Sequence, residues 1–270
     1  MRRSLSLTCL LVLALAASAA AASAADLPSH GFLVFKDTLR GEAVVEVRDD
    51  STGRVVARLK HLPRDWKFTG SCGDPRFQPF ARWKKSPRYY VNAASIPSYL
   101  SPGLARAELV RAQEAWEKRF TTDCRFRLRS RFNAKDKGNT TLDPTTVTQL
   151  EIDRVNVVGW VSLEGTVCDG ALACVVADFD QGEIYEADLG FERDLTRYGF
   201  QDFWTTDRTT WTDATGGEFA ISDVGTHEFG HFLGLDHVPD SPELTMFPLI
   251  HDGDDTLGLG DMLGTMLLYR

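Results

Sequence analysis

One eleven-residue run limits the fold more than anything else in the chain: His227-Glu228-Phe229-Gly230-His231-Phe232-Leu233-Gly234-Leu235-Asp236-His237. On an α-helix, residues four apart share a face, so His227 and His231 can present imidazole nitrogens to one centre with Glu228 beside them. Gly234 permits the positive φ that ends such a helix and turns the chain back. His237 then reaches the same centre from outside the helix. Three neutral nitrogens leave one tetrahedral position open, which is the donor set of a catalytic zinc rather than a structural one. A metal-binding protein without turnover is the other reading. Glu228 argues against it, because a structural site has no use for a base beside an open coordination position.

The remainder of the chain is compatible with such a domain. Hydrophobic residues make up 43% and charged residues 25% of 270 positions, which excludes a wholly disordered chain and leaves length for one sizeable core plus an appendage. The formal net charge is −8, so the basic excess that marks a nucleic-acid partner is missing. The alternating arginines Arg125, Arg127, Arg129 and Arg131 are expected on the solvated face of a strand.

Residues 1–24 begin with Arg2 and Arg3, continue through an Ala- and Leu-rich stretch and close on Ala22-Ser23-Ala24, the pattern of a secretory signal peptide. An exported protein, extracellular or periplasmic, is therefore expected, with no membrane span in the mature chain. Beyond the signal lie Cys72, Cys124, Cys168 and Cys174, which fit two disulfides in an oxidising compartment. Cys168 and Cys174 are close enough to close a small loop, leaving Cys72 with Cys124, although sequence alone permits all three connectivities.

Along the chain, apolar runs at 32–35, 44–47 and 55–59 suggest a small β-rich N-terminal module over residues 25–80, with 70–79 as a Gly- and Pro-containing linker. A strand is expected at Tyr89-Tyr90-Val91. Ser101-Pro102 opens a helix whose buried stripe runs through Ala105, Leu109, Ala112, Trp116 and Phe120. Cys124, Phe126 and Leu128 alternate as a strand, and residues 133–148 read as a surface loop. Strands are expected again at 155–163, 172–179 and 183–191. Leu259, Met262, Leu263, Met266 and Leu267 repeat at helical spacing near the C-terminus.

The histidine run, with Met246 following in Leu244-Thr245-Met246-Phe247-Pro248, resembles the metzincin clan of zinc endopeptidases and, within it, the matrixins or matrix metalloproteinases. Residues 83–91 with the helix carrying Ala112 and Trp116 resemble the first strand and helix of the matrixin catalytic domain. Leu172-Ala173-Cys174-Val175 with residues 182–192 resemble its upper edge strand and the acidic strand that follows, and Asp261-Met262-Leu263-Gly264 with Leu268-Tyr269 its closing helix. The resemblance implies an α+β, zincin-like catalytic domain over residues 81–270. It would have a mixed twisted sheet, an active-site helix and a methionine turn in which Met246 packs beneath the ligands.

Two departures stand out. Val238 occupies the place where matrixins usually have serine or threonine. Cys174 lies where vertebrate-type matrixins carry a histidine for a second, structural zinc, so a single zinc is expected. Cys72-Gly73-Asp74-Pro75 resembles the core of the matrixin cysteine switch, so Cys72 has two open readings: a thiolate filling the zinc's free position, or a disulfide to Cys124. Asp178, Asp180, Glu183, Asp188 and Glu192 cluster around Gly182 and suit either a calcium ion, as in comparable matrixin loops, or an acidic solvated turn. The activity implied is hydrolysis of peptide bonds, with Glu228 as general base and His227, His231 and His237 as zinc ligands. A protein or peptide substrate would extend along Leu172 to Val175, and a monomer is expected.

Overall fold

A computed structural model describes residues 31–37, 43–49, 53–60, 69–124, 128–145, 153–208, 218–250 and 254–269. The signal-peptide segment, Arg125 to Arg127 and the lone His251 lie outside the described residues. In chain order the strands are β1 Gly31–Asp37, β2 Ala43–Asp49, β3 Val55–Lys60, β4 Gln78–Pro79, β5 Arg88–Val91, β6 Lys135–Asn139, β7 Asn156–Val161, β8 Ala173–Asp180, β9 Glu183–Glu192, β10 Trp204–Thr205, β11 Phe219–Ala220 and β12 Leu235–Asp236. The α-helices are α1 Pro102–Glu114, α2 Ile221–Leu233 and α3 Leu259–Leu268.

Strands β1, β2 and β3 form an antiparallel sheet of their own. The central sheet is mixed, in the order β6-β5-β7-β9-β8, with β8 at one edge as its antiparallel member. Every residue of β7 except Val161 is buried, as expected of an interior strand whose two faces are both covered. Helices α1 and α2 pack on the sheet and against each other. Ala112 of α1 approaches Gly225 of α2 so closely that a Cβ on Gly225 would lie 3.0 Å from the alanine methyl. The Trp116 Nε1 donates to the Thr226 carbonyl at 2.8 Å. Tyr89 of β5 meets the rings of Phe229 and Phe232 on α2, joining sheet to helix through aromatic contacts.

Four expectations need correction. The stretch 133–148 is not all loop, since Lys135–Asn139 forms edge strand β6, parallel to β5. Its polar side chains are held from α1, where Arg106 bonds both Asp136 and Asn139. Cys124 and Leu128 lie outside any strand. Helix α1 ends at Glu114, so Trp116 and Phe120 follow the helix rather than extend its stripe, although Trp116 is fully buried. Finally, residues 70–79 do not behave as a linker. Phe77 is part of the main core, and Gln78 and Pro79 pair antiparallel with Asp236 and Leu235.

Candidate metal centre and active site

Helix α2 carries the first two histidines on one face, and its termination places the third. Gly234 has φ +115° and its N–H returns to the carbonyls of Gly230 and His231, closing the helix in the left-handed conformation that glycine favours. A Cβ there would also lie 1.9 Å from the carbonyl oxygen of Ala81, so the close approach alone excludes a side chain. The carbonyls of Phe232 and Leu233 in the last turn accept from Trp83 Nε1 and the Tyr269 hydroxyl. These bonds satisfy backbone groups that the end of a helix leaves open.

Past the break, β12 pairs with β4, and Asp236 accepts a hydrogen bond from the His237 N–H at 2.7 Å. His237 is thereby brought back over the helix. The three Nε2 atoms converge: His227 to His231 3.1 Å, His231 to His237 3.1 Å, and His227 to His237 3.2 Å. Among the described residues this is the only group of three or more His, Cys, Asp or Glu side chains that could hold a metal ion.

The hydrogen bonds behind the rings settle which nitrogen faces inward as a lone pair. His227 Nδ1 lies 2.7 Å from the Thr245 carbonyl and His231 Nδ1 2.8 Å from the Leu235 carbonyl. A carbonyl can only accept, so both Nδ1 atoms carry the proton and both Nε2 atoms are unprotonated. Burial reinforces neutrality. It is the main cause of the lowered values of His227, down to about 3, of His231, well below its usual range, and of His237. Unprotonated nitrogens meeting at such distances repel one another unless a cation lies between them. Zn–N bonds of about 2.0–2.1 Å in a tetrahedron put nitrogens roughly 3.3 Å apart, so the donor set fits zinc.

Glu228 follows His227 on the helix and is buried, and its Oε2 has no hydrogen-bond partner. Burial alone pushes its carboxyl up to about 8. An unpartnered carboxylate oxygen in the interior is costly and marks a group held for something other than stability.

Met246 is fully buried and lies in a turn tied to the ligand segment, with the Val238 N–H donating to its carbonyl at 2.8 Å. That turn rests on Asp261, at the start of α3, which sequence reasoning placed in the closing helix without a role. Its carboxylate accepts from the N–H groups of Thr245, Met246 and Gly258 at 3.0, 3.3 and 2.9 Å. Thr245 is the residue whose carbonyl holds His227, so Asp261 supports that histidine at one remove. The available signal was a lone carboxylate in the apolar run from Leu257 to Leu268.

The other candidates separate. Cys72 and Cys124 lie at disulfide distance, as do Cys168 and Cys174, so the thiolate-switch reading of Cys72 is replaced by pairing with Cys124. Ala173, Cys174 and Val175 lie on edge strand β8, while Leu172 immediately precedes it and uses its carbonyl to accept from Glu192 N–H. Of the acidic residues, Asp188 accepts from Thr145 and Val157 N–H groups, and Glu192 from Leu163 and Asp194 N–H groups. Glu183 pairs with Lys84, and Asp178 and Asp180 sit opposite Glu186 and Glu183 in the β8–β9 hairpin. Among the described residues these carboxylates do not converge on a metal-sized centre.

A histidine helix ended by glycine, a third histidine returning over it and a methionine turn beneath, all set on a mixed sheet, define a metzincin-type catalytic domain. Residues 155–270 match the family model for matrixin, which supports a matrixin-like metzincin catalytic domain in this part of the chain. The family is one of zinc metalloproteases in general terms, with proteins as substrates. Strand β5, helix α1 and strand β6 of the same sheet lie before the matched residues. No curated protein matches the chain. Among the described residues no helix is long and apolar enough to cross a membrane.

Proposed function

We propose that the chain is an exported zinc endopeptidase that cuts internal peptide bonds of protein substrates, with Glu228 as its general base. The observation that carries the reading is the convergence of three inward-facing Nε2 atoms within 3.2 Å beside a buried carboxylate oxygen that nothing else occupies. In this reading His227, His231 and His237 hold the ion through Nε2. A zinc ion bound there supplies Lewis-acid polarisation of a carbonyl and of the water that attacks it. Glu228 takes the proton of that water at its carboxylate and passes it to the leaving nitrogen, serving as base and then as acid.

The outer edge of β8 offers backbone donors and acceptors at the rim of the sheet, so an extended peptide can add there as a further strand. Backbone pairing accepts many side chains, which suits an endopeptidase of moderate sequence preference. Met246 packs beneath the ligands and takes no part in the chemistry. Two disulfides and the sequence of residues 1–24 support export.

The test is cleavage of casein by the zinc-loaded chain, with and without a chelator, beside Glu228→Gln. The expected result is chelator-sensitive cleavage that falls by about 10²–10⁴ in the variant while zinc content, measured by mass spectrometry of the metal, stays at one per chain. A variant that binds zinc and cuts as fast as wild type would remove Glu228 from the reaction. A zinc-loaded wild type that never cuts would overturn the peptidase reading in favour of a binding protein.

A further inference from the structure

Away from the histidines, the chain has a cleft of about 480 Å³ between the segment entering β5, the residues just before β6 and the end of α3. Its walls carry Arg82, Lys84, Lys85 and Arg131, and Arg54 from the start of the β3 segment adds a fifth cation. No aspartate or glutamate lines it. That is the reverse of the whole chain, in which acidic residues exceed basic ones by 38 to 30. Of the four cations named first, Lys84 has an ion pair, to Glu183, whereas no acidic partner is found among the described residues for Arg82, Lys85 or Arg131.

Like charges gathered around one concavity repel, and a water-filled cleft with low-dielectric walls concentrates their field. Such an arrangement is stabilised by a counter-charge. The volume falls within the range of pockets that enclose a small molecule, and is far larger than a single inorganic anion needs. Arginine forks match the oxygens of phosphate or sulfate bidentately, while lysine adds point charge. Trp83, Phe132 and Tyr269 also line the cleft, and Asn133 supplies an uncharged amide. Trp83 Nε1 and the Tyr269 hydroxyl are already committed to the carbonyls of Phe232 and Leu233, so these two side chains are held in place before a ligand arrives.

We infer that this cleft binds a small ligand carrying two or more tetrahedral oxyanion groups, phosphate or sulfate esters on one scaffold. It is separate from the histidine centre and does not depend on the peptidase reading. Through Trp83 and Tyr269 the ligand would rest against the last turn of α2, the helix that carries His227 and His231.

The test is calorimetric titration of the zinc-loaded full chain with a hexose bisphosphate and, separately, with a disulfated disaccharide, each beside its unmodified sugar. The expected result is saturable 1:1 binding of at least one charged probe, weakening as salt is raised, and none of the unmodified sugars. Binding of the bisphosphate alone or the disulfate alone identifies the source of the oxyanions. Lys85→Glu with Arg131→Glu should weaken binding at least tenfold, whereas Lys137→Glu on β6, outside the cleft, should leave it unchanged. Lys85→Gln alone, with a smaller expected loss of a few fold, serves if the double variant does not fold. Neither probe binding, or equal loss in the Lys137→Glu control, overturns the assignment.

Discussion

Met246 sets its sulfur where a side chain on Gly230 would begin. A Cβ built on Gly230 would lie 2.2 Å from Met246 Sδ and 2.9 Å from the Trp116 ring. Glycine in a helix interior ordinarily costs about 1 kcal/mol relative to alanine, so the helix alone would gain from Gly230→Ala. Here the outcome should reverse, with a net loss of about 1–3 kcal/mol from overpacking. Urea unfolding of the two zinc-loaded proteins measures it, and a more stable alanine variant would show that the turn yields freely.

Gly234 is under a stricter demand, because both its φ of +115° and the Ala81 carbonyl oppose a side chain. Gly234→Ala should therefore cost about 4 kcal/mol or more, in the range reserved for strain and backbone clash. Since His237 depends on that turn, zinc retention should fall with stability. Metal content after gel filtration, set beside a thermal melt, tests the pair of effects. Full zinc occupancy with an unchanged melt would contradict the account of the break.

Asp261 links stability to pH. Burial raises its carboxyl to about 6, against the three backbone N–H bonds that favour the charged form. Because the folded state holds the proton more tightly than the unfolded chain, the stabilisation is complete below the usual carboxylate range near 3.8. It is lost as pH rises through about 6. Relative to Asp261→Asn, which does not titrate, wild type should lose on the order of 3 kcal/mol between pH 4 and pH 7. Parallel chemical unfolding across that range is the measurement, and a difference between the two proteins that stays constant with pH would remove the assignment.

The Cys72–Cys124 pair joins residues 52 apart in sequence. Closing a loop of that length restricts the unfolded chain by about 4 kcal/mol on the chain-entropy account. Cys72→Ser with Cys124→Ser should lower unfolding stability by roughly that amount. A loss below about 1 kcal/mol would mean that the unfolded chain is already held together there.

What could be read from the sequence was mostly local. Helix α2 and its break at Gly234 are written in contiguous residues, and β7, β8 and β9 announce themselves as apolar runs between turns. Strand β6 was missed because Lys135-Asp136-Lys137-Gly138-Asn139 has no apolar face. Its order comes from backbone pairing with β5 and from Arg106 on α1. Residues 70–79 look like loop by composition, since their burial depends on a partner strand more than 150 residues away. Asp261 was seen only as part of a resemblance, because a carboxylate's use for three distant N–H groups leaves no periodic trace. The basic cleft escaped for the same reason: Arg82, Lys84 and Lys85 are near one another in sequence, but Arg131 reaches them only through the fold.

The pairing of β4 with β12 also sets where the N-terminal part of the chain could be trimmed. Pro79 and Gln78 hold Leu235 and Asp236, the two residues between Gly234 and the third histidine, and Cys72 anchors the same segment covalently. A shortened chain that began at residue 81 would lack both the strand that pairs beside His237 and the partner of Cys124, whereas a cut at residue 80 of the folded chain would leave that strand tethered through the disulfide.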